Sequence, residues 1–173
     1  VGGHRTFRPT TLAAELRHLD PVNIGATGVF VIRRPVSPAR VRAEIARRLH
    51  FDADIMICQG RQIVRLLSHR AFAGAPVRPD AVRFVSVLAR VPRSAPRLPL
   101  TFPPRGRWLL RVLARDGRFV LGMYRRDMKV IGYLGSLDRL FGVPATTRTW
   151  NTIAAIARVI DASSAPDRRH VEA

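Results

Sequence analysis

The sequence predicts an α+β protein, and three observations support this fold class. Short strand patterns alternate with amphipathic helical patterns along the 173 residues. Hydrophobic residues make up 47% of the chain, so a folded core is expected rather than intrinsic disorder. Two apolar strand patterns flank Asp116-Gly117, a dipeptide typical of the tight turn in an antiparallel hairpin. A chain of this length can form one domain or two small ones.

Residues 1–72 are predicted to form a first α+β unit. Its expected elements, in order, are a helix over residues 10–19 behind a Thr10 cap, two short strands within Val22–Ile32, a helix from Pro38, a strand over Ala53–Cys58 and a helix over Arg61–Arg70. Ser37 is a typical N-cap, and Pro38 fits the first helical position. Val41, Ile45 and Leu49 then recur on one helical face, which indicates an amphipathic helix.

Residues 73–80 contain Gly74, Pro76 and Pro79 and are predicted to be a linker. Residues 81–161 form a second predicted α+β unit, and residues 162–173 a polar tail. The expected elements of the second unit are a strand over Ala81–Arg90, an exposed proline-rich loop over Pro92–Gly106, hairpin strands over Trp108–Ala114 and Arg118–Tyr124, a helix over Leu134–Phe141 and a last helix capped by Thr149. The strand over Ala81–Arg90 has apolar residues on both sides, which predicts a strand covered on each face.

The charge of the chain is strongly positive. It has 30 basic and 12 acidic side chains, a net charge of +18, and every basic residue except Lys129 is arginine. Nucleic acid is therefore a candidate partner. The richness in Ala, Val and Pro also indicates a GC-rich coding bias, which yields arginine without any ligand. Up to Arg78 there are 13 basic and 5 acidic residues, net +8, and beyond it 17 and 7, net +10, so the charge is spread along the sequence.

Several classes of protein are excluded or disfavoured by the sequence. No run of about 18 apolar residues is present, so no membrane-spanning helix is predicted. The single cysteine, Cys58, rules out an internal disulfide framework, and a reducing cytoplasmic location is expected. The histidine spacings fit no metal motif, and no Gly-x-Ser-x-Gly elbow occurs. We therefore predict no catalytic residue, no metal and no cofactor. Cys58 is interpreted as an inert buried thiol.

Two weaker motifs are interpreted structurally. The segment Gly25–Gly28 has only a Gly-x-x-Gly pattern and a strand after it, so a tight turn is favoured over a phosphate loop. The hairpin strand Gly117–Tyr124 alternates apolar residues on both faces. Tyr124, with Arg118 nearby, could stack on a nucleic-acid base, but packing in the core is the favoured interpretation.

Residues 142–152, from Gly142 to Thr152, resemble the closing signature of a bacterial family of uncharacterised proteins, domain-of-unknown-function family 1697. Val1-Gly2-Gly3 is similar to the end of that family's opening segment. The resemblance implies two small ferredoxin-like (α-β plait) units in tandem, and it implies no activity. The chain departs from the family at Gly25–Gly28, which replaces a polar turn, at Thr149, which replaces an asparagine, and in the proline-rich loop, which replaces a helix.

The resemblance also implies that the first unit lacks its first strand. In a ferredoxin-like unit this strand is central, and the chain begins where it should end. The strand over Ala53–Cys58 would then lose its neighbour, and its backbone groups would be unpaired. A shortened N-terminus is therefore expected, which an intact-mass measurement of the native protein would test.

The most informative polar cluster lies at the start of the last predicted helix. The N–H groups of a helix start favour anions, and arginine can form paired bonds with a carboxylate or phosphate. An alternative interpretation, favoured here, is a helix cap with a tryptophan that anchors the core. The candidate anion-binding residues are Arg148, Trp150, Asn151, Thr152, His4 and Arg5.

Two functional classes follow from these observations. The favoured one is a non-catalytic binding or scaffold protein, with a weak affinity for nucleic acid as one expected property. Purely electrostatic affinity of this kind falls steeply with salt. The alternative is an enzyme or small-anion-binding protein that uses the cleft between the two units, because clefts between domains are common ligand sites.

Overall fold

A computed structural model describes residues 7–74 and 79–164 and has a mixed α+β architecture. The chain divides into two compact units, one made of Val1–Val64 with Ala154–Ala173 and the other of Arg65–Ile153. The domain boundaries expected from the sequence remain predictions. Residues 75–78 of the expected linker and 165–173 of the expected tail lie outside the described ranges.

The first unit is built on a small two-stranded antiparallel sheet. Its elements are α1 (Pro9–Glu15), a 3-10 turn (Arg17–Leu19), β1 (Pro21–Asn23), β2 (Phe30–Ile32), α2 (Pro38–Ala46) and the start of α3 (Gly60–Leu67). Val22 pairs with Val31 across the sheet. Leu12, Leu16 and Leu19 form the buried centre of a hydrophobic cluster, because helical spacing places them on one side. Around them pack Phe7, Phe30, Ile32, Val36, Ile45 and Leu49.

The local signals of the first unit are largely confirmed. Ser37 caps α2 by accepting a hydrogen bond from the Arg40 N–H at 3.3 Å, and Pro38 opens the helix. The predicted turn between the two strands has Gly25 and Gly28 at positive φ, a conformation that glycine adopts without a Cβ penalty. Thr10 does not cap α1. The helix begins one residue earlier, at Pro9, whose fixed φ suits a first helical position.

Two further expectations in this region are wrong. Ala53–Cys58 is not a strand, because a strand exists only as a partner in a hydrogen-bonded ladder, and none of the described strands pairs with it. The helix expected over Arg61–Arg70 ends at Leu67. A 3-10 turn over Arg70–Phe72 follows, and the His69 Nδ1 caps it by accepting a bond from the Ala71 N–H at 3.0 Å.

The second unit contains a five-stranded antiparallel sheet of order β4-β5-β6-β3-β7. Its strands are β3 (Ala81–Leu88), β4 (Leu100–Phe102), β5 (Leu110–Asp116), β6 (Phe119–Arg125) and β7 (Ala145–Thr149). Two short helices, α4 (Val130–Leu134) and α5 (Leu137–Phe141), connect β6 to β7, and α6 (Trp150–Ser164) begins in this unit. The predicted hairpin is confirmed as β5 and β6, with Gly117 at positive φ in its turn.

Strand β3 is buried on both faces, as its sequence predicts. On one face Phe84 and Leu88 are fully buried in a cluster that includes Leu137 and Phe141 of α5. On the other face Val85 is also fully buried. A polar side chain in this strand, Ser86, is satisfied by a 2.6 Å hydrogen bond with the Thr147 hydroxyl.

Two expectations in the second unit need correction. The proline-rich loop is not wholly irregular or exposed, because Leu100 and Phe102 form β4 with Thr101 and pack half-buried against the core. The helix over Leu134–Phe141 is instead two helices. The break lies at Gly135-Ser136, where glycine has a low helix propensity.

Substituting Gly122 with alanine is expected to destabilise the protein. A Cβ at this position in β6 would meet the Phe84 ring and the Arg111 carbonyl oxygen, inside contact distance. The overpacked sheet should lose about 1–3 kcal/mol of unfolding free energy, measured by urea denaturation. Gly132→Ala is the control, because open space surrounds Gly132 in α4 and alanine favours helix. Equal stability of Gly122→Ala and wild type would contradict this packing.

The first unit is expected to lose stability in acid through Glu44. Arg48 and then Arg47 donate hydrogen bonds that hold the pKa of Glu44 below its ordinary value of 4.5. A depressed folded pKa stabilises the unit above the unfolded value and stops doing so as pH falls through the folded value. Urea midpoints from about pH 7 to about pH 3 should therefore fall further for wild type than for Glu44→Gln. Asp161→Asn, at an exposed carboxylate, should follow wild type, and parallel curves for all three proteins would refute the assignment.

Candidate functional site

The predicted anion-binding residues occupy different environments in the structure. His4 and Arg5 lie outside the described ranges. Arg148 was expected to open the last helix, but it lies in strand β7, paired with Val85 of β3. Edge pairing with β3 extends this segment, so the helix begins only at Trp150. Asn151 is exposed on the first turn of α6.

The Arg148 guanidinium bonds to its own strand. It donates to the Thr146 hydroxyl at 2.8 Å and to the Thr147 carbonyl oxygen at 2.7 Å. Partial burial lowers the pKa of Arg148, because desolvation disfavours the charged form. These contacts give the Arg148 side chain a structural role in β7. Its role in anion binding remains a prediction.

Trp150 and Thr152 each contact a side chain of the second unit, and the interpretation of this segment as a cap and a core anchor remains a prediction. The Trp150 ring meets the Phe72 ring edge-on, with centroids 5.0 Å apart, and the Arg83 guanidinium lies over the Phe72 ring at 5.0 Å. Such aromatic pairs stabilise a core beyond their buried area. The Thr152 hydroxyl is 3.3 Å from that of Thr149, the residue just before α6.

A second polar cluster, which the sequence analysis did not single out, surrounds Trp108. The guanidinium carbons of Arg111 and Arg125 lie 4.8 Å and 4.5 Å from the centre of the indole ring. Asp80 forms a salt bridge with Arg125 and a second one, at 3.5 Å, with Arg107. We call Asp80, Arg107, Trp108, Arg111 and Arg125 the Trp108 cluster. The hairpin register, with Leu110 opposite Tyr124, brings its arginines together.

The two faces of the Trp108 cluster differ in chemistry. Arg125 is nearly buried, and its charge is compensated by Asp80 and by the π face of Trp108. Arg111 is exposed and has no carboxylate partner within the described residues. The cluster therefore has an inner, neutralised guanidinium and an outer guanidinium available to an anion.

Exposed arginines follow one another along the proline-rich segment that leads to Trp108. Leu98, Leu100 and Phe102 pack against the core and fix the segment to the sheet. The arginines before and after these apolar anchors are exposed to water, where a guanidinium is well solvated. In the described ranges, four exposed arginines, three in this segment and one just before it, have no carboxylate within salt-bridge distance: Arg90, Arg93, Arg97 and Arg105.

The positive charge is concentrated in the second unit. Residues 65–153 contain 17 basic and 4 acidic side chains, a net charge of +13. The rest of the chain contains 13 basic and 8 acidic side chains, a net charge of +5. The even spread obtained by dividing the sequence after Arg78 does not hold for the structural units, because residues 65–78, with Arg65, Arg70 and Arg78 and no acidic side chain, belong to the second unit.

Other candidate chemistry finds little support in the structure. Within residues 7–74 and 79–164, no group of histidine, cysteine or acidic side chains could hold a metal ion. Over the same residues, no helix is long and apolar enough to span a bilayer. Cys58 is half-buried. Tyr124 packs against the core cluster, with its ring 6.0 Å from that of Phe84, as the favoured interpretation of that strand expects.

Comparison with known proteins gives no family assignment. The chain matches no protein-family model, no curated protein and no solved structure. The function must therefore be inferred from the geometry and charge of the chain itself.

Replacing Arg148 by alanine separates its structural role from an anion-binding role. The variant should lose about 1–3 kcal/mol of unfolding free energy with its hydrogen bonds to Thr146 and Thr147, while its affinity for inorganic phosphate stays unchanged. Arg139→Ala, at an exposed position on α5, should stay within about 0.5 kcal/mol of wild type. Lost phosphate affinity with unchanged stability would instead establish an anion site.

Proposed function

We propose that the protein is a non-catalytic binding protein whose second unit binds nucleic acid. The observation that carries this proposal is the net charge of +13 on residues 65–153. Basic residues gathered on one part of a chain are the electrostatic footprint of nucleic-acid binding. A composition bias accounts for how many arginines the chain has, but not for the scarcity of acidic side chains in the second unit, which has 4 against 8 in the rest of the chain.

The contact surface that we propose is the proline-rich segment together with the outer side of the Trp108 cluster. Within the described residues, the exposed Arg90, Arg93, Arg97, Arg105 and Arg111 have no carboxylate partner, so their charge is available to phosphates. Arginine forks bind phosphate oxygens in pairs. Phosphate contacts carry no direct sequence information, so the proposed binding is of low sequence specificity.

We also propose that the second unit is a ferredoxin-like plait. Without β4, its strand order is β5-β6-β3-β7, which is second, third, first and fourth in chain order. A βαββαβ plait has this order, with its first strand between the third and the fourth. The proline-rich segment and β4 stand where the plait has its first helix. A related first unit, the resemblance of residues 142–152 to family 1697 and a cytoplasmic location remain predictions.

The proposal predicts that four arginines in and just before the proline-rich segment determine nucleic-acid affinity. Arg90, Arg93, Arg97 and Arg105 are changed together to glutamine, and binding of a labelled single strand and duplex is measured from about 50 to 200 mM salt. The plot of log affinity against log salt should become shallower by about 3 for the single strand, because about 0.7 counterion is released for each phosphate contact.

The matched control changes four exposed arginines of the first unit to glutamine: Arg17, Arg40, Arg42 and Arg61. Both variants lose four positive charges. A difference between their salt dependences therefore reports the position of the arginines and not the net charge. The control should shift the slope by less than about 1. Equal shifts would mean that the charge acts without a localised surface. No binding of either nucleic acid by wild type at about 50 mM salt would refute the proposal.

A further inference from the structure

Within the described residues, one edge of strand β2 in the first unit has no paired strand. Its Val31 pairs with Val22 of β1. On either side of Val31, the Val29 carbonyl oxygen accepts a hydrogen bond from the Ile24 N–H at 2.8 Å, and the Arg33 N–H donates one to the Asp20 carbonyl oxygen at 3.2 Å. All of these residues therefore bond on the β1 side. Hydrogen bonds alternate in direction along an antiparallel strand, so the N–H and C=O groups of Phe30 and Ile32 point to the opposite edge. Neither residue makes a backbone hydrogen bond there within the described ranges.

A second stretch of unpaired backbone lies in residues 52–56. Its side chains alternate as in a strand, with Asp52 and Asp54 exposed and Ala53 and Ile55 half-buried. In the described part of the chain, the backbone of residues 52–56 forms no hydrogen bond. Unpaired backbone groups of this kind are ready partners for an added strand.

Leu49 has neighbours in common with both stretches. Leu49 packs against the cluster that contains Phe30 and Ile32, and it also lines a groove of about 500 Å³ with Ala53 and Ile55. A strand that bonds to β2 would add to a sheet of only two strands, which is marginal by itself. The geometry therefore fits strand addition, in which backbone bonds supply affinity and side-chain alternation supplies specificity.

The charge beside the groove defines the partner. Asp52 and Asp54 form no ion pair within the described residues, in a chain with an excess of arginine. Carboxylates on one side of a strand pair favourably with basic residues directly across from them. We propose that the first unit binds an extended partner peptide as an added β-strand, with apolar residues alternating with lysine or arginine that face Asp52 and Asp54.

The test uses a fluorescent peptide of alternating lysine and valine, titrated into the full chain near physiological salt, where the overall positive charge is screened beyond about 8 Å. Saturable binding is expected, with new protection of the Phe30 and Ile32 amides against hydrogen exchange. N-methylation of every second peptide amide keeps the side chains and should weaken binding by about tenfold or more.

The charge side of the proposal is tested with a double variant and a matched control. Asp52→Asn with Asp54→Asn should weaken peptide binding several-fold, while Asp161→Asn, at another exposed carboxylate, should leave it unchanged. The proposal fails if the peptide does not bind, if the N-methylated peptide binds equally well, or if Phe30 and Ile32 gain no protection. It also fails if the free protein dimerises and protects these two amides, because a second copy would then be the occupant.

Discussion

The burial of strand β3 on both faces is the constraint on which the second unit depends. Phe84 and Val85 point to opposite sides of the sheet and are both inaccessible to water. Such a strand needs a neighbour at each edge and a cover on each face, so β6 and β7 pair with it from either side. Gly122 of β6 leaves room for the Phe84 ring, which allows the two strands to pair at full register.

The same constraint decides where the arginines lie. A sheet buried on both faces accepts a guanidinium only with a partner, as Arg125 has in Asp80 and Trp108, and Arg148 in the polar groups of its own strand. The remaining arginines of the second unit lie mainly at edges and in connections, above all in the proline-rich segment. Among its described residues, the first unit has only a two-stranded sheet, and backbone groups of β2 there have no hydrogen-bond partner.

Signals within a few residues of each other were predicted well from the sequence, while those that need distant partners were not. The Ser37 cap, the Asp116-Gly117 turn and the two-sided burial of β3 follow from local pattern alone. The sequence did not predict β4 and β7, which have three and five residues of mixed polarity. Such short segments form strands only when a neighbouring strand pairs with them. The strand predicted over Ala53–Cys58 does not form for the converse reason. Its residues have the pattern of a strand, but none of the described strands pairs with them. The Trp108 cluster depends on the register of the β5–β6 hairpin. The Asp116-Gly117 turn sets this register, but the pattern of polar and apolar residues does not show that Arg111 and Arg125 meet at Trp108.

The proposed function rests on the arginines of one unit. Modification by phenylglyoxal, which reacts with accessible guanidinium groups, tests this directly when followed by mass spectrometry with and without a saturating single strand. Arg90, Arg93, Arg97 and Arg105 should be protected by the nucleic acid, while the exposed Arg17 and Arg61 of the first unit should react as in the free protein. Equal protection of both sets, or protection of the first unit alone, would contradict the account.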